Sequence, residues 1–581
     1  MKRSGSRLPL ALNGFAAAVM LGLIALFGFQ AALAPPPTVA ALQPPSRQLK
    51  EAPPEQSVVE LPGQVNPSPT PSAGASPAPS QGTIATATRQ CYQLTQTPDP
   101  QSPPCRQGWD PSKQDNGGAT AQGVTREKIY VSFPCNGGFF ERCIDTKWLA
   151  QYFNTHFEFW GRQLVINDPW CPTWDSTGGC AGPPGADKQV AHVQGDATTA
   201  AHWNDSNGGV FASLAYVPEQ GDEHYYYDTL ANQYRIASIS SVPNSEAEAH
   251  YQQYHPYEWS VTPTMDYAEQ NLGQFLCRTM AGRAPQWAQA TSSWQPPSKR
   301  GFAVVWSTSP DHSNPLLSPL TNVLQGCSGA ATTHVMQFDG STTSATQLVT
   351  QMMKEGDTTV TCVCGDGSLK TTLANAANNQ GYRPEWVVWP FGFQDVDSTY
   401  FQYTDANCAC QIQQWPQDQQ SDLIGFSDFN KILPPDEEFW FQAIREANQA
   451  YGYGDNGADI YDYYRYEELM VLATGIQMAG PHLTPQTFAA ALQNYPSRDP
   501  GHGHPPYFQA QVGFTSGHGW IQDFAPVYWS STAQNYTTQE PRSGSLCYVS
   551  DSGSGLGVRF GLNQWPDHQL DFYPGGNTPC R

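Results

Sequence analysis

Between Thr358 and Gly392 an apolar run, a helical run and a second apolar run follow one another without a break, and no other feature restricts the fold as much. Thr359, Val360, Thr361, Cys362 and Val363 predict a buried strand, Leu369 to Asn379 a helix, and Trp386, Val387 and Val388 the next strand. Strands joined by a crossover helix run parallel, because an antiparallel pair needs only a tight turn. The expected class is therefore α/β, not a disulfide-laced β-sandwich.

Strand and helix signals alternate through most of the chain from Val124 onward. Ile129, Val131 and Phe133 alternate as a strand, and Trp148, Leu149, Tyr152, Phe153, Phe157 and Trp160 follow at helical spacing. Further strands are expected at 164–166, 210–216, 235–240 and 258–261, with helices at 186–201 and 223–233. The pattern then restarts: helix 266–280, strand 302–306, helix 316–324, strand 334–338 and helix 344–354 lead into the opening unit. Helices at 436–451, 461–478 and 484–492 follow. Two βα series exceed what one open sheet accommodates, so two doubly wound lobes are expected, with Thr262-Pro263-Thr264 as the crossing. Ligands of such sheets bind outside the carboxyl ends of the strands.

Lys2, Arg3 and Arg7 precede an uncharged apolar run from Leu8 to Ala34, which fits a signal peptide and is also long enough to span a bilayer. Ala32-Leu33-Ala34 is a cleavage pattern, but Pro35 obstructs it, which favours an uncleaved anchor. Positive charge ahead of the run keeps the N-terminus cytoplasmic and puts the rest outside, at the outer face of the membrane or secreted. Residues 35–80 are Pro, Ala, Ser and Gln without an aliphatic cluster, so they cannot bury a core and are expected to form a disordered stalk. Residues 81–123, with Cys91 and Cys105, read as a disulfide-stapled leader.

Fourteen cysteines without a Cys-x-x-Cys pair suit a disulfide framework outside the cell. Proximity in sequence suggests Cys91 with Cys105, Cys135 with Cys143, Cys171 with Cys180, Cys277 with Cys327, and Cys547 with Cys580. Cys362, Cys364, Cys408 and Cys410 then pair among themselves in an order that sequence does not assign. A formal net charge of −22 opposes nucleic-acid binding, which relies on a basic surface.

Several stretches together resemble the type I periplasmic binding proteins, in the branch that binds leucine, isoleucine, valine and related solutes for ABC importers. Gly123-Val124-Thr125-Arg126-Glu127-Lys128-Ile129-Tyr130-Val131 is similar to the family's first strand, and Pro134 to Gly138 takes the place of its first ligand loop. Tyr234 to Ser241 resembles a later strand and loop, Thr262 to Asp266 the hinge, Lys299 to Val305 the next strand, and Asn379 to Pro384 the Gly-Tyr-x-Pro turn. The likeness runs over about 124–535.

The resemblance implies a periplasmic-binding-protein-like clamp with three interlobe crossings, near Thr262, near Gln394 and near Tyr495 to Pro505. Lobe one would then be 124–262 with about 395–495, and lobe two 263–394 with about 496–581. It also implies ligand contacts from Ser240, Ser241 and Asn244. Val217-Pro218-Glu219-Gln220 departs from the family's serine-rich turn, and Glu219 would repel a ligand carboxylate. Trp389 and Phe391 are expected to offer aromatic faces to apolar, cationic or sugar-like ligands.

From the residues themselves, Asn136, Gly137 and Gly138 supply main-chain donors or simply turn the chain, and His312 and Asn314 reach the cleft or form a plain surface loop. Tyr461 is a cleft candidate against a core reading. His502-x-His504 lacks a nearby carboxylate or cysteine pattern, so no metal site and no cofactor are expected. Gly-x-Ser-x-Gly, His-Glu-x-x-His and Walker motifs are missing and no Gly-x-Gly-x-x-Gly opens a helix, which argues against an enzyme. The expected function is capture of a small molecule (amino acid, amide, polyamine or sugar-like) for an ABC permease; the alternative is a membrane-tethered sensor or scaffold.

Overall fold

In the first series, the apolar runs Lys128–Ser132 (β1), Gln163–Asn167 (β2), Ala212–Leu214 (β3), Ala237–Ser240 (β4) and Glu258–Ser260 (β5) lie in one sheet of order β2-β1-β3-β4-β5. All four pairings are parallel. Each connection must then cross a sheet face, and Cys143–His156 (α1), Val190–His202 (α2), Glu223–Thr229 (α3) and Glu248–Tyr254 (α4) do so. This is a computed structural model describing residues 89–91, 94–96, 99–105, 109–134, 143–167, 169, 190–214, 223–241, 246–307, 317–327, 332–364, 367–400, 404–405, 410–411, 415–429, 439–451, 460–496, 510–515, 517–535, 542–549 and 558–572. The expected anchor or signal segment and the stalk lie outside those residues. Among the described residues no helix is long and apolar enough to cross a membrane.

The same order repeats in the second series. After Met265–Gln274 (α5), strands Phe302–Ser307 (β6), Thr333–Phe338 (β7), Thr359–Val363 (β8), Glu385–Val388 (β9) and Leu423–Ser427 (β10) run parallel as β7-β6-β8-β9-β10. Ser318–Gln325 (α6), Thr342–Glu355 (α7) and Gly367–Gln380 (α8) make crossovers. Beyond β10 the sheet is extended by an antiparallel pair, Ala525–Asn535 (β11) and Arg542–Tyr548 (β12). Side chains alternate across β6: Phe302 and Val304 enter one core, Ala303 and Val305 the other. A parallel sheet covered on both faces requires this double burial.

Phe439–Tyr451 (α9), Ile460–Ala479 (α10) and Pro485–Gln493 (α11) return to lobe one, where Ile444, Leu469 and Phe488 share a core with Ile129 and Val131. The start of α11 is fixed by a reciprocal cap between Thr484 and Thr487, with Pro485 in the first turn where its missing N–H costs nothing.

Two crossings fall elsewhere than expected. The passage placed near Gln394 comes later, because β10 still pairs with β9 and the chain leaves lobe two only after Ser427. Gly425 permits that pairing, since a Cβ there would sit 1.9 Å from the Val388 carbonyl oxygen. The passage placed near Tyr495 to Pro505 also moves. Val512, Phe514, Trp520 and Ile521 remain in the lobe-one core, and Gly519 bridges in parallel to Ser260, so the chain crosses just before β11. The stretch 395–427 thus goes with lobe two, and 510–521 with lobe one.

Sulfur atoms bond between Cys277 and Cys327, which ties the end of α5's continuation to the residue beyond α6, and between Cys362 and Cys364 at the end of β8. Cys105 and Cys547 are also disulfide-bonded. Cys135, Cys171, Cys180, Cys408 and Cys580 lie outside the described residues, as do the side chains of Cys91, Cys143 and Cys410.

Candidate functional site

Serine ends strand after strand on the carboxyl side of lobe one. Parallel register sets Ser132 beside Ser213 and Ser240 beside Ser260, and all four are buried. Ser213 Oγ and Tyr226 Oη are 2.8 Å apart, and Ser260 Oγ lies 3.2 Å from Thr262 Oγ1. The Ser132 hydroxyl, wholly buried, has no hydrogen-bond partner. A buried unsatisfied hydroxyl costs about 1–3 kcal/mol, which marks this strand end as unfinished without a further polar group.

Helix α10 brings a charged pair to the same edge. Arg465 donates to both carboxylate oxygens of Glu468 at 2.8 and 3.0 Å, and its guanidinium stands 5.1 Å from the Phe133 ring centroid just past β1. Burial raises the Glu468 carboxyl above the usual range, opposed by Arg465 and by a hydrogen bond from Ser241. Ser241 is therefore engaged by a protein carboxyl at the end of β4, while Ser240 stays in the row.

The lobe-two edge carries Ser307 as the last residue of β6, the Cys362–Cys364 bridge at the end of β8, and Ser427 as the last residue of β10 with Asp428 after it. Gln394 donates from Nε2 to the Cys362 carbonyl at 2.8 Å, and Ser427 Oγ donates to Asp395 Oδ2 at 2.7 Å. Asp395 and Asp428 are neighbouring buried carboxyls, with Asp395 Oδ1 and Asp428 Oδ2 buried and not satisfied by any donor. Burial pushes Asp395 up to about 6, and burial with the neighbouring Asp395 charge pushes Asp428 well up, so the pair retains a proton.

Trp389 and Phe391, expected to show aromatic faces, are instead packed into the lobe-two core. The Trp389 indole donates to the Cys362 carbonyl at 3.0 Å, its ring lies 5.3 Å from that of Phe391, and both are at most 3% exposed. A short apolar strand within the sheet buries the residue that ends it as well. Asn136, Gly137, Gly138, Glu219, Gln220, Asn244, His312 and Asn314 lie outside the described residues. Of Tyr461 only the backbone, in the first turn of α10, is described.

Sequence reasoning missed Arg465 and Glu468, although a signal existed: charges in the middle of an apolar helix must be paired if that helix is buried. His502-x-His504 lies outside the described residues. Elsewhere, two groups of a histidine and two carboxylates stand close enough to share an ion: Asp228, His250 and Glu258 in lobe one, and His334, Glu355 and Asp357 in lobe two.

No family model and no curated protein sequence matches the chain. Many solved structures resemble it at low identity. A fatty acid ABC transporter substrate-binding protein from Thermomonospora curvata is 12% identical, with a TM-score of 0.44 over 76% of this chain and 93% of that one. A branched chain amino acid ABC transporter protein from Thermus thermophilus with bound valine is 11% identical, with a TM-score of 0.46 over 75% and 97%. An ABC transporter solute binding protein from R. palustris in complex with 4-hydroxybenzoate is 10% identical, with a TM-score of 0.43 over 76% and 99%.

Proposed function

We propose that this chain is a type I periplasmic-binding-type receptor that captures a small polar or amphipathic molecule between its two lobes outside the cytoplasmic membrane, for delivery to an ABC permease. The observation that carries the reading is the repeated 2-1-3-4-5 parallel order in two lobes, with hydroxyl groups collected at the carboxyl edges. Such edges are where open α/β sheets hold ligands. A pair of lobes joined by several crossings is also the arrangement in which hinge closure replaces bulk water by fixed hydrogen bonds.

The engagement of Arg465 by Glu468 supports a ligand that does not rely on that guanidinium for a carboxylate. A neutral or cationic polar solute fits better than a simple carboxylic acid. The test is to purify the chain natively and identify carried metabolites by mass spectrometry, then to measure thermal shifts with amino acids, amides, sugars and polyamines. A saturable shift with a carried compound is expected. No carried compound and no shift across the library would overturn the reading.

One observation favours a second reading, a tethered sensor or scaffold that does not open. Arg559 fastens two crossings to each other through buried bonds to Asp523 and to the Asp428 and Phe429 carbonyls. Scattering curves with and without the carried compound separate the readings: a receptor contracts on binding, and a scaffold keeps one curve.

A further inference from the structure

In lobe one, α3, α4 and β5 bring together an uncompensated set of ligand atoms. His250 Nε2 lies 3.0 Å from Asp228 Oδ1 and 3.2 Å from Glu258 Oε2. The other ring nitrogen, Nδ1, lies 3.7 Å from Glu246 Oε2. One imidazole nitrogen carries at most one proton, so Nε2 cannot satisfy two carboxylates at once. The mismatch is visible: Asp228 Oδ1 and Glu258 Oε1 are buried without an aligned hydrogen bond. The Glu258 side chain is only 3% exposed, so bulk solvent does not reach it.

We propose that Asp228, His250 and Glu258 bind a divalent transition ion of the zinc type. Zinc accepts imidazole nitrogen and carboxylate oxygen at about 2.0–2.2 Å, which places neighbouring tetrahedral ligands about 3–3.5 Å apart. The separations around Nε2 fall in that span without rearrangement. A carboxylate hydrogen-bonded to the far ring nitrogen is the usual device for fixing the tautomer of a ligating histidine, and Glu246 stands just beyond that reach at 3.7 Å. Tyr254 Oη donates to Asp228 Oδ2 at 3.2 Å, which turns Oδ1 toward the shared point.

The group also has room and access. His250, Glu246 and Glu258, though not Asp228, line a small cavity of about 10 Å³ that borders Ser238 and Ser240 of β4, about the space of one small species. The side chains of Asp228 and His250 are 21% and 19% exposed, so an ion enters from solvent and water fills the remaining position. Bound there, the ion ties α3 and α4 to β5 next to the serine row. The expectation of no metal site came from spacing along the chain. These ligands come from separate elements and leave no local motif.

The test uses the full-length chain, stripped with a chelator and titrated with Zn2+ alone, with retained metal counted after gel filtration. One ion per chain is expected. H250A and E258Q should weaken binding at least ~100-fold, and E246Q, which removes only a nearby charge, less than ~10-fold. H334A, which removes the histidine of the other group, should leave the ion held by Asp228, His250 and Glu258 in place. Circular dichroism of each metal-free variant shows whether it is folded. Co2+ in place of Zn2+ gives a visible absorption band that reports ligation in the wild-type chain without any variant. Failure to retain Zn2+, retention by folded H250A, loss in H334A instead, or equal affinity for Ca2+ would each overturn the proposal and leave an ion-paired imidazolium. No solute enters the measurement, so its outcome is independent of the receptor reading.

Discussion

Arg559 Nε donates to Asp523 Oδ1 at 2.8 Å, with both side chains less than 5% exposed. The same guanidinium reaches the Phe429 and Asp428 carbonyls at 2.6 and 3.0 Å and the Asp523 carbonyl at 2.9 Å. One residue from the C-terminal segment thus satisfies backbone groups of two different crossings. Arg559→Ala is expected to destabilise the chain by about 3–5 kcal/mol, because it leaves Asp523 buried without its cation. Arg559→Lys should recover little of this, since a single ammonium cannot copy the fork. Urea unfolding measures both. A loss below about 1 kcal/mol for the alanine variant would show that the crossings do not depend on the clamp.

The Arg300–Glu385 pair offers a contrasting case inside lobe two. Nε and one terminal nitrogen of Arg300 donate to the two Glu385 oxygens at 2.8 and 2.7 Å, and Glu385 also accepts from the Gln286 and Trp287 amides. Arg300→Met alone should cost about 3–5 kcal/mol, because a buried carboxylate loses its partner. In the double variant Arg300→Met, Glu385→Leu no charge is stranded, so the loss should be smaller than the sum of the single losses. A double-mutant cycle by chemical denaturation checks this. Additive losses would mean that the two residues act separately.

The proton held by the Asp395 and Asp428 pair makes lobe two sensitive to pH, as does Asp397, which burial pushes up to about 7. Unfolded, these carboxyls titrate near ~3.9. Folding raises their values, so the folded chain holds more protons than the unfolded one between about pH 4 and pH 7. Their contribution to stability is full below the unfolded value and is lost as pH rises through the folded values. Calorimetry is expected to show a Tm several degrees lower at about pH 8 than at about pH 5, with a weaker dependence in Asp428→Asn. A Tm that rises over this window, equally in both proteins, would contradict the protonated pair.

What the sequence discloses depends on how local the signal is. Thr359–Val363 is legible residue by residue because a strand buried on both faces is an unbroken apolar run. Leu423–Ser427 escapes because Gly425, needed for the close approach to Val388, interrupts such a run. β11 escapes because it turns polar at Ser530, Ser531 and Thr532, and its register with β12 shifts between Ser530 and Gln534. Both missed strands displace the expected crossings. Ser240 is legible from its place after a strand, whereas the burial of Trp389 depends on what packs over β8 and β9. The meeting of Asp228, His250 and Glu258 requires α4, a helix of seven residues with too little periodicity to be seen.

Ser132 tests the site whatever the chemical identity of the ligand. Its hydroxyl is buried at the carboxyl end of β1 with no hydrogen-bond partner, while Ser213 beside it shares a bond with Tyr226. Ser132→Ala removes an unsatisfied group, so the free protein should be at least as stable as the wild type, with a gain of up to about 1–3 kcal/mol. Ser213→Ala removes the buried bond to the Tyr226 hydroxyl and should cost about 1 kcal/mol. If the ligand supplies the missing partner to Ser132, the alanine variant should bind the carried compound roughly 5- to 10-fold more weakly, the worth of one hydrogen bond. Calorimetric titration beside urea unfolding reads both effects. Unchanged affinity in a variant no less stable than the wild type would place the ligand away from the β1 strand end.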